Sequence, residues 1–140
     1  MKILLAIDGS PYTKKMLAYL GTHDELFSQN NDYTVLTVQP LLPPRARAAV
    51  GKDIVDKYYA EEAEKILAPV SKFLLRHGID AKSIWKTGHA GESIAKLAGG
   101  GKFDLLVMGS HGHGTLLNLV MGSVATQVLA NCKVPVLLVR

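Results

Sequence analysis

Phe103-Asp104-Leu105-Leu106-Val107-Met108-Gly109-Ser110-His111-Gly112 carries the pattern that decides the fold. An unbroken apolar run closed by glycine reads as a strand covered on both faces. Similar runs recur in both directions from it. Ile3 to Ile7 is closed by Asp8-Gly9-Ser10, Tyr33 to Val38 is β-branched, Ile79 to Thr87 contains Ile84 and Trp85, and Val134 to Val139 ends the chain. Helical patterns lie between them. Ser10 and Pro11 have the chemistry of an N-cap and a first helical residue, followed by Met16, Leu17 and Leu20 at helical spacing up to about Phe27. Asp53 to His77 is predicted as a long amphipathic helix with Ile54, Tyr58, Ile66, Val70 and Leu74 on one side. Pro69 should kink or restart it, and Gly78 suits the position beyond its end. Gly91-Glu92-Ser93 opens a short helix through Ile94, Leu97 and Ala98, which the glycines 99–101 end. A last helix begins at Gly122 or Ser123 and carries Val124, Val128 and Leu129. Residues 39–51, with three prolines, are predicted as a mobile surface loop.

Strands alternating with helices imply an α/β protein with a parallel sheet covered on both faces, and right-handed crossovers make the sheet doubly wound. The chain of 140 residues is the size of one domain, 1–140. Its net charge of +4 comes without a basic block, Arg45 and Arg47 being the nearest cluster, so no nucleic-acid partner is expected. A single cysteine, Cys132, excludes an intramolecular disulfide and a cysteine metal cage. No stretch approaches the ~20 apolar residues that span a bilayer, and Asp8 closes the opening run too early for a signal peptide. A cytoplasmic location without a membrane partner is the expectation.

In doubly wound sheets, ligands bind beyond the carboxyl ends of strands. The most informative exit runs from Gly109 to Gly122-Ser123. Its glycines admit φ > 0 and let an anion approach the backbone, and a helix starting at Gly122-Ser123 aims free N–H groups at the same space. The loop lacks the lysine of the Gly-x4-Gly-Lys-Ser/Thr motif, and no Gly-x-Gly-x-x-Gly follows the first strand. Other readings stay open: the glycines serve only tight turns, and Asp8 caps the first helix. His89, His111 and His113 have no metal-ligand spacing. Ser10 and Ser123 sit at predicted helix starts, and no nucleophilic triad is apparent, so no catalytic residue is assigned.

With these residues in view, the chain resembles the universal stress protein family, in particular its ATP-binding subgroup. Gly109, Gly112, Gly122 and Ser123 match that subgroup's Gly-x2-Gly-x9-Gly-Ser/Thr motif. Lys2-Ile3-Leu4 to Asp8-Gly9-Ser10, Gly88-x2-Gly91-Glu92-x-Ile94, Asp104 to Gly112, and Val134 to Val139 resemble the family in the same order. The resemblance implies a Rossmann-like, adenine nucleotide alpha hydrolase-like sheet of five parallel strands in the order 3-2-1-4-5. It implies that Asp8 contacts the ribose or adenine side, that Val38 holds adenine through its backbone, and that Met108 and Gly109 line adenine and ribose. Gly112, Gly122, Ser123 and Val124 would meet the phosphates. Mg²⁺ would be held through phosphates and water, with no metal ligand from the protein. His113 and Gly114 fall in the motif's variable stretch and receive no role. The resemblance further implies a homodimer through Val136–Val139. ATP would act as a switch, with slow or no hydrolysis, ordering residues 109–121 and 40–53 for an unidentified protein partner. The alternative is a dimer that binds no nucleotide and serves as an interaction module. Adenylate-transferring enzymes and electron-transfer flavoproteins need additional segments for which 140 residues leave no room.

Overall fold

Ile3, Leu4 and Leu5 are fully buried although they are consecutive, which requires a strand covered on both faces. That strand is β1 (Lys2–Ala6), and it pairs in parallel with β2 (Asp32–Gln39) on one side and β4 (Leu105–Gly109) on the other. β3 (Lys82–Thr87) pairs in parallel with β2, and β5 (Val136–Val139) with β4. The order is β3-β2-β1-β4-β5, as the family resemblance implied. The computed structural model describes residues 1–113 and 120–140. Its helices are α1 (Pro11–Gly21), α2 (Pro44–Val50), α3 (Lys52–Arg76), α4 (Ala90–Gly100) and α5 (Ser123–Asn131).

The side-chain alternation of β1 divides the core in two. Ile3, Leu5 and Ile7 pack with Met16 and Leu20 of α1 and with Leu67, Val70 and Leu74 of α3. Leu4 and Ala6 face the other way, against Ile94 and Ala98 of α4 and Val128 of α5. Each fully buried leucine stabilises the fold by roughly 1.5–3 kcal/mol relative to exposure. Among the described residues, no helix is long and apolar enough to cross a membrane.

Several local expectations are corrected. Residues 39–51 are not simply a loop, because Pro44 opens α2 as its first residue. A proline there loses nothing, since its missing N–H would have had no helical partner. α2 buries no residue and ends at Gly51, whose φ of +84° lets the chain turn directly into α3. The buried stripe of α3 is Val55, Tyr59, Ala63, Leu67, Val70 and Leu74. Ile54 and Tyr58, assigned to that stripe from spacing, are 61% and 44% exposed. Two adjacent apolar pairs, Ile54-Val55 and Tyr58-Tyr59, leave the helix phase undetermined in its first turns. Ala63 and Leu67 downstream fix it one residue later. The Tyr59 hydroxyl accepts a hydrogen bond from the Leu42 N–H at 2.9 Å, tying the segment before α2 to α3.

α3 continues through Pro69 as one element, with no restart. It closes beyond Leu74 with Ile79 N–H donating to Leu74 O and Gly78 N–H to Leu75 O, Gly78 having a φ of +76°. This pairing satisfies carbonyls that the helix end leaves open. α1 stops at Gly21 rather than near Phe27, and Phe27 is anchored in the core by the turn that follows. Gly99 and Gly100 lie inside α4, and Gly101 forms its C-cap. β5 starts at Val136, two residues after the predicted Val134.

Candidate functional site

The sheet order reverses between β1 and β4, so the loops leaving those two strands splay to opposite faces and open a crevice between them. A cavity of about 350 Å³ occupies the crevice, within the ~300–1,000 Å³ range of small-molecule pockets. Ala6, Val38, Ile94 and Met108 give it apolar walls. Asp8, Thr13, Ser110, His111, His113 and Ser123 bring polar groups to it.

The loop after β1 is a hydrogen-bonded knot. Asp8 Oδ1 accepts from the Ser10 N–H at 2.9 Å and from the Thr13 hydroxyl at 3.2 Å. The same Thr13 oxygen accepts from the N–H groups of Asp8 and Gly9, at 3.3 and 3.2 Å. Asp8 thus ties down the turn that leads into α1, through the N–H of the N-cap residue and a hydroxyl rather than through an N–H of the helix itself. Ser10 stands at the N-cap position, but its hydroxyl makes no cap hydrogen bond. Its Oγ is buried without a hydrogen-bond partner among the described residues.

The loop after β4 folds back on itself. Ser110, 2% exposed, donates its N–H to Val139 O of β5 at 2.8 Å and accepts from the Gly122 N–H at 2.8 Å. α5 begins at once, with Gly122 as its N-cap. Ser123, Val124 and Ala125, its first three residues, line the cavity. Their N–H groups precede the first helical hydrogen-bond partner, so they present donors and the positive end of the helix dipole to it.

The glycines of this loop are required for space and not for φ. None of Gly109, Gly112 and Gly122 has a positive φ. A Cβ on Gly109 would stand 2.7 Å from Tyr12 Cβ, and one on Gly122 would stand 3.2 Å from His111 Cα. A Cβ on Gly112 would stand 2.5 Å from Asp8 Oδ2. The positive φ that glycine admits is thus not used at these three residues, and close approach of neighbouring groups is. Gly114, in the same loop, lies outside the described residues.

All of Asp8, Val38, Met108, Gly109, Gly112, Gly122, Ser123 and Val124 line this cavity. Spacing alone missed Tyr12, Thr13, Ile94, Ser110, His111 and His113 as lining residues. Their one sequence signal is proximity to Asp8 or to the glycine motif, apart from Ile94, which arrives through the start of α4. The His111 ring lies beside Tyr12, centroids 5.0 Å apart, with Nδ1 hydrogen-bonded to the Ser110 hydroxyl at 2.8 Å. His113 Nε2 donates to the Asp8 carbonyl at 2.8 Å, linking the two loops. The third histidine, His89, is the N-cap of α4 and is not among the lining residues. Among the described residues, no group of three or more His, Cys, Asp or Glu side chains is arranged to hold a metal ion. Tyr33, whose phenol burial pushes above the ordinary tyrosine range, lies at the start of β2 and not in the cavity wall.

A parallel sheet of this order with a loop-built cavity at its reversal point defines a Rossmann-like α/β protein. The chain belongs to the universal stress protein family, whose model matches residues 1–140. It is 33% identical over 141 residues to a Thermus aquaticus universal stress protein, covering 99% of this chain and 97% of that one. It is 32% identical over 139 residues to one from Synechocystis, covering 99% of this chain but only 42% of that relative. The solved structure of MJ0577 from Methanocaldococcus jannaschii superposes with a TM-score of 0.82 at 27% identity, covering 99% of this chain and 94% of that one. Two solved structures share the fold at lower identity. One is an Arabidopsis thaliana universal stress protein family protein with AMP bound, at a TM-score of 0.68 and 16% identity, covering 99% of this chain and 90% of that one. The other is a universal stress protein in complex with cAMP, at 0.69 and 22%, covering 100% of this chain and 97% of that one.

Proposed function

We propose that the cavity between β1 and β4 binds an adenine nucleotide, and that the nucleotide is ATP. The observation that carries this reading is the meeting of an apolar slot with a helix N-terminus in one cavity. Val38, Met108 and Ile94 offer the slot to a flat base. Asp8, also in the lining, is assigned to the ribose or adenine side in this reading. Gly112, Gly122, Ser123 and Val124 surround the place where phosphates would meet the N–H groups of α5. Gly109 lets the loop approach Tyr12, where a Cβ would leave 2.7 Å. AMP and cAMP in distant proteins of the same fold support an adenylate as the ligand class.

The donor set fits a nucleotide and bears on its cation. Asp8 is the one carboxylate among the described lining residues, and its Oδ1 already accepts two hydrogen bonds. Mg²⁺ would then be held through the phosphates and water, where it would neutralise their charge. In this reading hydrolysis is slow or absent. Binding acts as a switch on the 109–121 loop, of which 114–119 lie outside the described residues. It also acts on segment 40–53, which leaves β2 just beyond Val38 and is tied to α3 through Tyr59. In this reading the protein is a cytoplasmic stress-response homodimer. It pairs through β5, which ends the sheet with Val136, Leu137 and Leu138 only half-buried, and it presents its switch to a protein partner.

Thermal unfolding of stripped protein with and without ATP and Mg²⁺ tests this. Ligand at about 100 times its Kd stabilises by about 2.7 kcal/mol. At about 2.1 cal/mol/K per residue, that raises Tm by roughly 9 °C for a chain of 140 residues. Gly112→Val should abolish the shift and leave the protein folded. An absent shift at millimolar ATP would favour the interaction-module reading, in which the glycines serve only to let the loops approach.

A further inference from the structure

We propose that α2 and the exposed start of α3 form a docking surface for a segment of another protein in which carboxylates flank apolar side chains. This names the chemistry of the protein partner left open above, and it rests on that part of the reading and not on the nucleotide.

α2 is a helix that the core does not use. Its sequence favours the helix at every step: Pro44 opens it, alanines and arginines fill it, and Gly51 closes it. Yet all seven of its residues are exposed. Seven residues fall well short of the ~12–15 at which an isolated helix is marginal in water, and tertiary packing ordinarily makes up the difference. A surface laid over α2 would supply that packing.

The apolar side chains around α2 are uncovered too. Leu41, Val50, Ile54 and Tyr58 are all exposed. They share one neighbourhood. The Leu42 N–H is held by the Tyr59 hydroxyl at 2.9 Å, and the Tyr59 ring lies 6.1 Å from that of Tyr58, which brings Leu41 to the start of α3. Ile54 and Tyr58 stand one turn apart on one face of α3. Val50 ends α2, a single glycine before α3 begins.

The charge of α2 and its flanks has one sign. Residues 40–52 contain Arg45, Arg47 and Lys52 and no carboxylate. Among the described residues, neither arginine side chain has an ion pair or a hydrogen bond. The next carboxylates along the chain are Asp53 and Asp56. Asp53 lies in the first turn of α3, where the helix end favours negative charge, and Lys57 is paired with Glu61 at 3.9 Å. At about 3.6 residues per turn, Arg45 and Arg47 stand on opposite sides of α2 with Val50 between them. An apolar contact is thus flanked by two guanidiniums, each able to take a carboxylate through paired hydrogen bonds. The complementary occupant carries Asp or Glu on either side of a leucine or phenylalanine. A bilayer fits less well, because between its arginines α2 offers only Val50 and alanines, too little apolar surface to hold a helix in the lipid interface. A nucleic acid fits less well again, because three cations without a basic block make few phosphate contacts.

A random peptide library displayed on phage tests the proposal, selected on the full chain without nucleotide and counter-selected on Arg45→Glu combined with Arg47→Glu. The enriched peptides should carry Asp or Glu around Leu, Ile or Phe. Labelled with fluorescein, they should bind the parent with an affinity that falls as salt rises. The double arginine variant should bind them about tenfold more weakly or worse, and Ile54→Ala combined with Tyr58→Ala should weaken them too. Because α2 buries nothing, the arginine variant should keep the parent's Tm, which separates a lost surface from a lost fold. No enrichment, enriched peptides without acidic residues, or equal affinity for parent and arginine variant overturns the proposal. So does sedimentation of the parent, but not the arginine variant, with vesicles of phosphatidylcholine and phosphatidylglycerol, which would make a lipid surface the occupant. A change of oligomeric state in the arginine variant also overturns it, by giving the surface to a second copy of the chain. Peptides that bind α2 in a protein whose Tm ignores ATP would leave this proposal standing and overturn the nucleotide reading. An ATP shift without peptide binding would do the reverse.

Discussion

Thr13→Val removes one oxygen and keeps the shape of the side chain. That oxygen accepts from the N–H groups of Asp8 and Gly9, at 3.3 and 3.2 Å, and donates to Asp8 Oδ1 at 3.2 Å. All three contacts are long and partly buried, so each falls toward the lower part of the usual range of about 0.5–1.5 kcal/mol. The donors left behind are near the cavity, where water can replace some of what is lost. A total of about 2 kcal/mol follows. The unfolding entropy of about 2.1 cal/mol/K per residue, over 140 residues, converts this to a fall of roughly 7 °C in Tm. Differential scanning calorimetry of both proteins at one pH reads it directly. Asp8 would keep only the Ser10 N–H on its Oδ1, so nucleotide affinity should drop in the same variant. A Tm within about 1 °C of the parent, against the expected 7 °C, would refute the claim that this hydroxyl holds the loop together.

Leu67→Ala, in the buried stripe of α3, should cost about 2–5 kcal/mol, whereas Ile54→Ala, at 61% exposure, should change stability by less than about 0.5 kcal/mol; urea denaturation of the pair checks the helix phase. Gly91→Ala should destabilise by about 1–3 kcal/mol, because the new Cβ would stand 2.7 Å from Gln127 Cβ where α4 meets α5; chemical denaturation measures it. Tyr33 holds its proton above the ordinary value of 10.0 because burial penalises its phenolate. The unfolded chain ionises first, so the stability that this residue contributes is full below that value and is lost as pH rises above it. Urea midpoints followed into alkali should fall less steeply in Tyr33→Phe than in the parent.

The sheet was legible because a strand buried on both faces leaves no ambiguity of phase: every residue of Leu105-Leu106-Val107-Met108 is apolar. α3 was legible in extent but not in phase, since adjacent apolar pairs satisfy two neighbouring stripes equally well. α2 was hidden by its prolines, which mark a loop in most positions and a helix start in this one. The glycine motif located the cavity, yet its physical basis lay outside the sequence. Which side chain a missing Cβ makes room for depends on contacts across the sheet, such as Gly112 against Asp8 and Gly109 against Tyr12. Thr13 shows the same limit. A threonine in the first turn of a helix is commonplace, and only the fold brings its oxygen to two N–H groups and a carboxylate.

The peptide unit of Ser110 joins three parts of the molecule that are far apart in the chain. Its N–H is held by Val139 at the end of the edge strand, and its carbonyl holds Gly122, the residue from which α5 begins. Edge strand and helix tip are thus bridged through the backbone of a single buried residue. A displacement of β5 would therefore strain a hydrogen bond that shares its residue with the one holding the start of α5. A molecule pressing on the tip of α5 would load the outermost strand in return.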